Sequence, residues 1–207
     1  YPIGSNVDHD ATFEQNGAMC GKNTCRDSRI KEPMLTEAVD VASKADVILL
    51  AIGETAEMSG ESSSRTNISI PQAQKDLFKE LKKTGKPIVL VLFAGRAMEI
   101  KEESELADAI LNVWFPGSEA GLAISDVLFG KINPSAKLPM TFPRSVGQVP
   151  IFYNYKNTGR PLDASKTEKC EFQKFRSNYL DECNTPLYPF GFGLSYTQFA
   201  YNNLSLS

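Results

Sequence analysis

The sequence predicts an α/β fold, with a mainly parallel sheet, helices on both faces and then a long irregular wrapping segment. Apolar runs of strand length alternate with helical segments across residues 34–142, which is the order that parallel strands joined by helices require. From about residue 143 the periodicity ends, and Pro, Gly, Asn, aromatic and charged residues are mixed. This part contains too many Phe and Tyr residues to be predicted as disordered.

The first elements surround a polar loop. Apolar residues at helical spacing predict a helix over 34–44, and the continuous apolar run at 45–52 is typical of a strand covered on both faces. After the loop, Pro71 favours the first turn of a second helix, which Gly85 ends. The buried stripe of this helix is predicted to be Leu77, Phe78 and Leu81.

The remaining elements follow the same alternation. Strands are predicted at 87–93, more weakly at 97–100, at 109–114 and, as an edge strand containing Pro139, at 138–142. A charged helical turn is predicted at 101–108, and a helix runs from an N-cap at Ser118 to about residue 129, where Gly130 ends it.

Composition argues against several classes of partner. The net charge of -3 and the absence of a basic stripe predict no nucleic-acid partner, and no apolar run approaches the roughly 18 residues of a membrane span. The chain starts at Tyr1 without a Met or a signal peptide, so we expect it to be cut from a longer protein.

The four cysteines form two separated pairs, Cys20/Cys25 and Cys170/Cys183. Neither spacing matches a zinc or thioredoxin motif, and the lone His9 adds little, so no metal site is predicted. Each pair lies in a polar, loop-like stretch, which favours two local disulfides formed in an oxidising compartment. Four reduced thiols are the alternative.

The loop at 53–65 is the first place to look for chemistry, because ligands of parallel sheets bind beyond the carboxyl ends of the strands. It holds Glu54, Glu57, Glu61 and Arg65. No glycine fingerprint or phosphate loop follows the strand, which disfavours a flavodoxin-like nucleotide-binding domain, and no nucleophile elbow is present. Carboxylate chemistry remains, since a glutamate can protonate a leaving oxygen when burial raises its pKa.

Seven blocks of the chain, in order, resemble family 3 of the glycoside hydrolases, and most closely its bacterial periplasmic β-glucosidase branch. The first block is the loop itself, Gly53-Glu54…Met58-Ser59-Gly60-Glu61-Ser62-Ser63-Ser64-Arg65…Ile70-Pro71…Gln74. The later blocks lie at 85–91, 114–117, 126–139, 142–150, 157–161 and 189–196.

The resemblance implies a split active site, in which a (β/α)8 barrel carries the nucleophilic aspartate and an α/β sandwich supplies the acid/base. Residues 1–198 are similar to the sandwich, and 199–207 to the start of a following fibronectin-like domain. The barrel is expected to be a partner from the same protein. The chain is also expected to start after the first strand or two of the sandwich, which would leave an exposed sheet edge.

The resemblance assigns the acid/base to Glu61, with Glu57 as runner-up; the alternative for Glu61 is a solvated loop residue. Glu54 is expected to bind loop amides and shape the turn, and Arg65 to hold a sugar hydroxyl or tie down the loop by pairing with a carboxylate.

Substrate contacts are also assigned to Met58, Asn157 and Arg160. The single tryptophan, Trp114, is interpreted as a core residue at the end of a buried strand.

The sequence is therefore interpreted as the acid/base domain of a retaining exo-β-glycosidase, acting on a β-glucoside or oligosaccharide without a cofactor. The isolated chain is expected to be inactive, and the protein periplasmic or secreted. The alternative function is a non-catalytic carbohydrate-binding or scaffold domain.

Overall fold

The computed structural model describes residues 31–55, 58–163 and 170–206. His9, Cys20, Cys25 and Glu57 lie outside these residues, so the first cysteine pair and the runner-up glutamate stay predictions. The chain divides into two compact units, which are described separately below. The first contains the chain up to Phe115 together with Pro143–Val149, and the second contains Pro116–Phe142 and Pro150–Ser207.

The first unit is built on a parallel sheet, as the alternation of elements predicts. Three strands, β1 (Ile48–Gly53), β2 (Ile88–Phe93) and β3 (Ala109–Asn112), pair in the order β1-β2-β3. Both pairings are parallel, with Gly53 opposite Phe93 and Leu92 opposite Asn112. The carboxyl ends of β1 and β2 therefore lie side by side.

In the described part of this unit, the α-helices α1 (Lys31–Ser43), α2 (Gln72–Lys82) and α3 (Lys101–Leu106) accompany the sheet, with a short 3-10 helix at Val146–Gln148. Helix α2 contacts α1, α3 and β1. The core lies between α2 and one side of the sheet, where alternate strand residues are buried. The buried side chains of α2 and of these two strands are Leu77, Phe78, Leu81, Ile48, Leu50, Ile52, Ile88, Leu90 and Leu92.

The opposite side of β1 is open, so the prediction of a strand covered on both faces is wrong for this element. Leu49 is 52% exposed and Val47, just before the strand, is 49% exposed. Among the described strands β1 also stands at the edge of the sheet. Within the described residues, the strand thus combines an unpaired edge with an exposed apolar side.

Two predicted strands are replaced by single bridges. At 97–100 only Glu99 pairs, through one parallel bridge to Ser69, because α3 begins at Lys101 and leaves no room for a longer ladder. At 138–142 only Phe142 pairs, in an antiparallel bridge with Tyr188. Pro139 has no N–H to donate, which interrupts the ladder there.

Trp114 is not a core residue, contrary to the prediction. Strand β3 ends at Asn112, and Trp114 follows it in a left-handed conformation (φ 51°) with its side chain half-buried. The continuous apolar run concealed the end of the strand.

The described residues of the second unit form the helix α4 (Ala120–Leu128) and a long irregular segment. The residue before α4 is Glu119 rather than the predicted Ser118, and no side chain caps the helix. Gly130 follows it with φ 74°, and Gly85 follows α2 with φ 70°, so both predicted glycine stops are confirmed.

The irregular segment is held together locally. Cys170 and Cys183 form a disulfide across 13 residues, which confirms that pairing. Tyr153 stacks on Phe190 with ring centroids 4.7 Å apart. Residues 199–206 are exposed and irregular, and their assignment to a following domain stays a prediction. In the part of the chain that the structure describes, no helix is long and apolar enough to cross a membrane.

The disulfide supports a testable prediction. Replacing Cys170 and Cys183 together by Ser removes a cross-link that, for a loop of this size, stabilises a native protein by about 3 kcal/mol. We expect faster proteolytic cleavage between residues 171 and 182 in the variant than in the parent chain, measured by peptide mapping. Equal cleavage rates with the disulfide intact or removed would contradict this.

A second prediction concerns Glu103 on α3, whose side chain is buried. Its Oε1 lies 3.4 Å from Lys75 Nζ, and Oε2 has no hydrogen-bond partner within the described residues. Burial raises the pKa of the Glu103 carboxyl above its ordinary value of 4.5, although Lys75 opposes this shift. The native protein thus holds this proton more tightly than the unfolded chain does. Its free energy of unfolding should fall, relative to Glu103→Gln, as pH rises from 4.5 through the native pKa.

Urea unfolding of both proteins from pH 4.5 upward measures the difference, and Asp108→Asn, compared with the parent from pH 4.5 downward, is a control of opposite sign. The Ile88 N–H and then Lys82 lower the pKa of Asp108 below 3.8, so its contribution is lost as pH falls below that value. A difference between the parent and Glu103→Gln that does not change with pH would refute the prediction for Glu103.

Candidate active-site loop

The loop begins at a fixed point, the last residue of β1. The buried Gln74 side chain binds both polar groups of Gly53: the Gly53 N–H donates to Gln74 Oε1 over 2.8 Å, and Gln74 Nε2 donates to the Gly53 carbonyl over 3.1 Å. Gly53 has φ 145°, and a Cβ here would overlap the Phe93 carbonyl of β2. Only glycine fits this exit from the strand.

Glu54, the next residue, carries a buried charge. Its side chain is 0% exposed, and Arg65 Nη1 donates to its Oε1 over 2.8 Å. Arg96 Nε lies 2.9 Å from the same oxygen and donates to Oε2 over 3.1 Å. Two guanidinium groups thus bind the Glu54 carboxylate, and the expectation that it also binds loop amides stays a prediction.

The two arginines come from different parts of the chain. Arg65 lies at the end of the loop, so its pair with Glu54 joins the two ends, and its Nη2 also donates to the Ser69 carbonyl over 3.3 Å. Arg96 follows the end of β2 at the same edge of the sheet where Glu54 follows β1. The side-by-side exits of the two strands bring these opposite charges together.

Arg96 also binds the middle of the loop. Its Nη2 donates to the Met58 carbonyl over 2.7 Å and to the Ser63 carbonyl over 3.2 Å. The preceding residue, Gly95, makes the approach close: a Cβ on it would overlap Ser59 Oγ and lie 2.6 Å from the Phe115 ring. The loop thus packs directly on the exit of β2.

Glu61 lies in a tight turn between these two carbonyls. The Ser63 N–H donates to the Gly60 carbonyl over 3.2 Å, and Ser62 takes up the left-handed conformation, φ 61°. A non-glycine residue at positive φ is uncommon and persists where its surroundings fix the backbone. The turn leaves the Glu61 side chain exposed.

The loop therefore holds two carboxylates in opposite environments. The Glu54 carboxylate is inaccessible and neutralised by two cations, which suits a structural role. The Glu61 side chain reaches solvent, so it can meet a ligand and exchange a proton with it.

The other predicted contacts fall in different places. Met58 and Arg65 lie on the same loop as Glu61, with Met58 half-buried. Asn157 and Arg160 belong to the second unit, where both are exposed. The Arg160 carbonyl accepts a hydrogen bond of 2.8 Å from the Ser177 N–H.

Sequence reasoning missed two residues that fix the loop, Gln74 and Arg96. Gln74 belongs to the motif that carries the family resemblance, but its α2 position gave it no assigned role. Arg96 could have been found from the parallel sheet: an arginine that ends one strand and a glutamate that ends the neighbouring strand must meet at the same edge. Within the described residues, no three His, Cys, Asp or Glu side chains could hold a metal ion.

Fold and loop together define an α/β domain with an exposed glutamate at the carboxyl edge of a parallel sheet. The profile described as the glycosyl hydrolase family 3 C-terminal domain matches residues 7–196, and the chain belongs to this family. Within this family of glycosyl hydrolases, the chain corresponds to the C-terminal domain.

Curated relatives and solved structures agree with this assignment. A periplasmic β-glucosidase of Salmonella typhimurium is 49% identical over all of this chain and 26% of the relative. A β-xylosidase of Formosa agariphila is 38% identical over 82% of the chain and 22% of the relative. A crystal structure of a Listeria innocua β-glucosidase in complex with gluconolactone is 42% identical with TM-score 0.80, covering 86% of this chain and 24% of that one.

The chain thus spans only about a quarter of the length of these relatives. The resemblance found in the sequence is confirmed at the level of the family and the domain.

The two hydrogen bonds between the Gln74 side chain and the Gly53 backbone yield a prediction. In Gln74→Met, the buried Gly53 N–H and carbonyl lose their partners, and each unsatisfied group costs about 1–3 kcal/mol. We expect the free energy of unfolding to fall by about 2–4 kcal/mol in urea titrations.

Gln72→Met is the matched control on the same helix. Gln72 is exposed, and its side chain donates to the Asp76 side chain. We therefore expect the free energy of unfolding of Gln72→Met to fall by no more than about 0.5 kcal/mol. If the free energy of unfolding falls equally in the two variants, the hydrogen bonds of Gln74 to Gly53 add no specific stability.

Proposed function

We propose that this domain supplies the acid/base residue, Glu61, of a retaining exo-β-glycosidase of the β-glucosidase type. The nucleophilic aspartate lies in a (β/α)8 barrel of the same protein, outside this chain. One observation carries the proposal: Glu61 is exposed at the tip of a turn whose flanking carbonyls are both bound by Arg96.

The reaction has two steps with retention of configuration. The aspartate attacks the anomeric carbon while Glu61 gives its proton to the departing glycosidic oxygen, which leaves as an alcohol. Glu61, now a carboxylate, takes a proton from water as the water oxygen attacks the anomeric carbon and releases the aspartate. The protein returns to its starting protonation state without a metal or organic cofactor.

The environments of the loop glutamates support Glu61 over Glu54. A proton donor must reach the glycosidic oxygen, and the buried Glu54 carboxylate is bound by two arginines. Glu57 lies outside the described residues and stays the competing candidate.

Substrate contacts are proposed at Met58, Arg65, Asn157 and Arg160. Of these, Met58 and Arg65 share the loop with Glu61. The pairing of Arg65 with Glu54 favours a role in holding the loop, from which the rest of its guanidinium group can meet a sugar hydroxyl.

A periplasmic or secreted location is also proposed. The Salmonella relative is a periplasmic β-glucosidase, and the Cys170–Cys183 disulfide requires an oxidising compartment to persist.

The test uses the complete protein and aryl β-glucosides of differing leaving-group pKa. In Glu61→Gln, kcat/KM should fall by about 10²–10⁴ for phenyl β-glucoside, whose leaving group needs a proton. It should change little for the 2,4-dinitrophenyl glucoside, whose leaving group departs unprotonated. Glu57→Gln is compared in the same assay, and Glu105→Gln, an exposed glutamate on α3, is the matched control.

An acid/base domain and a non-catalytic carbohydrate-binding domain predict different results in this assay. A carbohydrate-binding or scaffold domain predicts that Glu61→Gln alters KM with kcat nearly unchanged, for every leaving group. A selective loss in Glu57→Gln instead would move the acid/base role to that residue. Substantial turnover by the 207-residue chain alone would refute the split site.

A further inference from the structure

We propose that Arg96 is a positioning residue for catalysis: through its guanidinium group it fixes the backbone on both sides of Glu61 and so sets the direction of that carboxyl. The inference rests on the proposed role of Glu61. It assigns a function to a residue that does not itself touch the substrate.

The contacts of Arg96 are divided between the Glu54 carboxylate and the backbone on either side of Glu61. Its Nε binds the buried Glu54, and its Nη2 binds the carbonyls of Met58 and Ser63. Met58 lies three residues before Glu61 and Ser63 two residues after it. Arg96 therefore binds the turn at one residue on each side of Glu61.

Glu54 orients the guanidinium group for this task. Its carboxylate is inaccessible and lies against the Nε edge, so the planar group cannot rotate without breaking a buried ion pair. Such a pair is unfavourable to break, because the buried Glu54 carboxylate would keep only Arg65 as a charged partner. The Nη2 group is therefore held toward the loop carbonyls.

The chemistry requires arginine. A single Nη2 nitrogen carries two N–H groups in a fixed plane with Nε–H, which permits two carbonyls and one carboxylate to be bound together. A lysine in its place could keep the pair with Glu54, but its single ammonium group cannot reach all three acceptors.

The turn needs this support, because its own backbone gives little. Among the described residues, one backbone hydrogen bond closes it, from the Ser63 N–H to the Gly60 carbonyl, with a long bond of 3.5 Å from Ser63 Oγ to the Glu61 carbonyl beside it, and Ser62 holds an uncommon left-handed conformation. Without Arg96, Ser62 can return to an ordinary conformation and take the neighbouring Glu61 with it.

Misplacement by about 1 Å can slow a reaction by about 10²-fold. A misdirected acid slows only those substrates whose leaving group must be protonated. In the complete protein, Arg96→Lys should lower kcat/KM by about 10–10² for phenyl β-glucoside and by less than about threefold for the 2,4-dinitrophenyl glucoside. Arg176→Lys, an exposed arginine elsewhere in the chain, is the matched control.

A double-mutant cycle separates positioning from general destabilisation. In a Glu61→Gln background there is no proton to direct, so Arg96→Lys should change kcat/KM for phenyl β-glucoside by less than about twofold. A residue that merely supports the fold would produce the same loss in both backgrounds.

Folding is monitored by circular dichroism and thermal unfolding, and Arg96→Met combined with Glu54→Gln gives a second variant without an unpaired buried carboxylate. This variant should show the same leaving-group dependence. If both variants slow all substrates by one factor, with full additivity in the cycle, the inference is overturned while the role of Glu61 stands. If Glu61→Gln itself shows no leaving-group dependence, the proposed function and the inference fail together.

Discussion

A carboxylate that water cannot reach has to be neutralised by the protein, and in this domain that constraint organises the loop around one residue. Glu54 leaves β1 and is buried at once, where Arg65 and Arg96 bind it. Each partner brings a different segment with it: Arg65 the far end of the loop, and Arg96 the exit of β2. The loop takes its shape because these three charges must meet.

The same arrangement separates structure from chemistry. Two glutamates seven positions apart in the chain have the same side chain but opposite environments, one sealed between cations and one at the tip of a turn. Environment decides which carboxyl can take part in proton transfer and which can only hold the backbone. The buried carboxylate binds Arg96, and the guanidinium group of Arg96 also binds the carbonyls of Met58 and Ser63 on either side of the exposed glutamate.

Much of this could be predicted from the sequence, and the failures have physical causes. Long apolar runs at Ile48 and Ile88 located the parallel strands, and Gly85 and Gly130 located the helix ends, since these signals are local. The weak strands at 97–100 and 138–142 failed because pairing depends on which segment arrives beside them.

The residues of the candidate site could likewise be predicted only where the signal is local. The pairing of Arg65 with a carboxylate follows from a local motif, and the assignment of Glu61 from the same motif stays a prediction. The role of Arg96 depends on contacts across more than 30 positions of the chain, which no local pattern records. The irregular second unit gives little periodic signal, although its disulfide was predicted from two cysteines in a polar stretch.

The open side of β1 has a practical meaning for anyone who handles this polypeptide. Among the described strands, β1 has an unpaired edge beside exposed Leu49, and such an edge is a template for pairing with another molecule when nothing covers it. Yield and dispersity of recombinant material will depend on whether that edge is shielded. Charged residues at positions 47 and 49 are the natural choice for keeping the excised domain in solution, as they leave the buried face of the strand untouched.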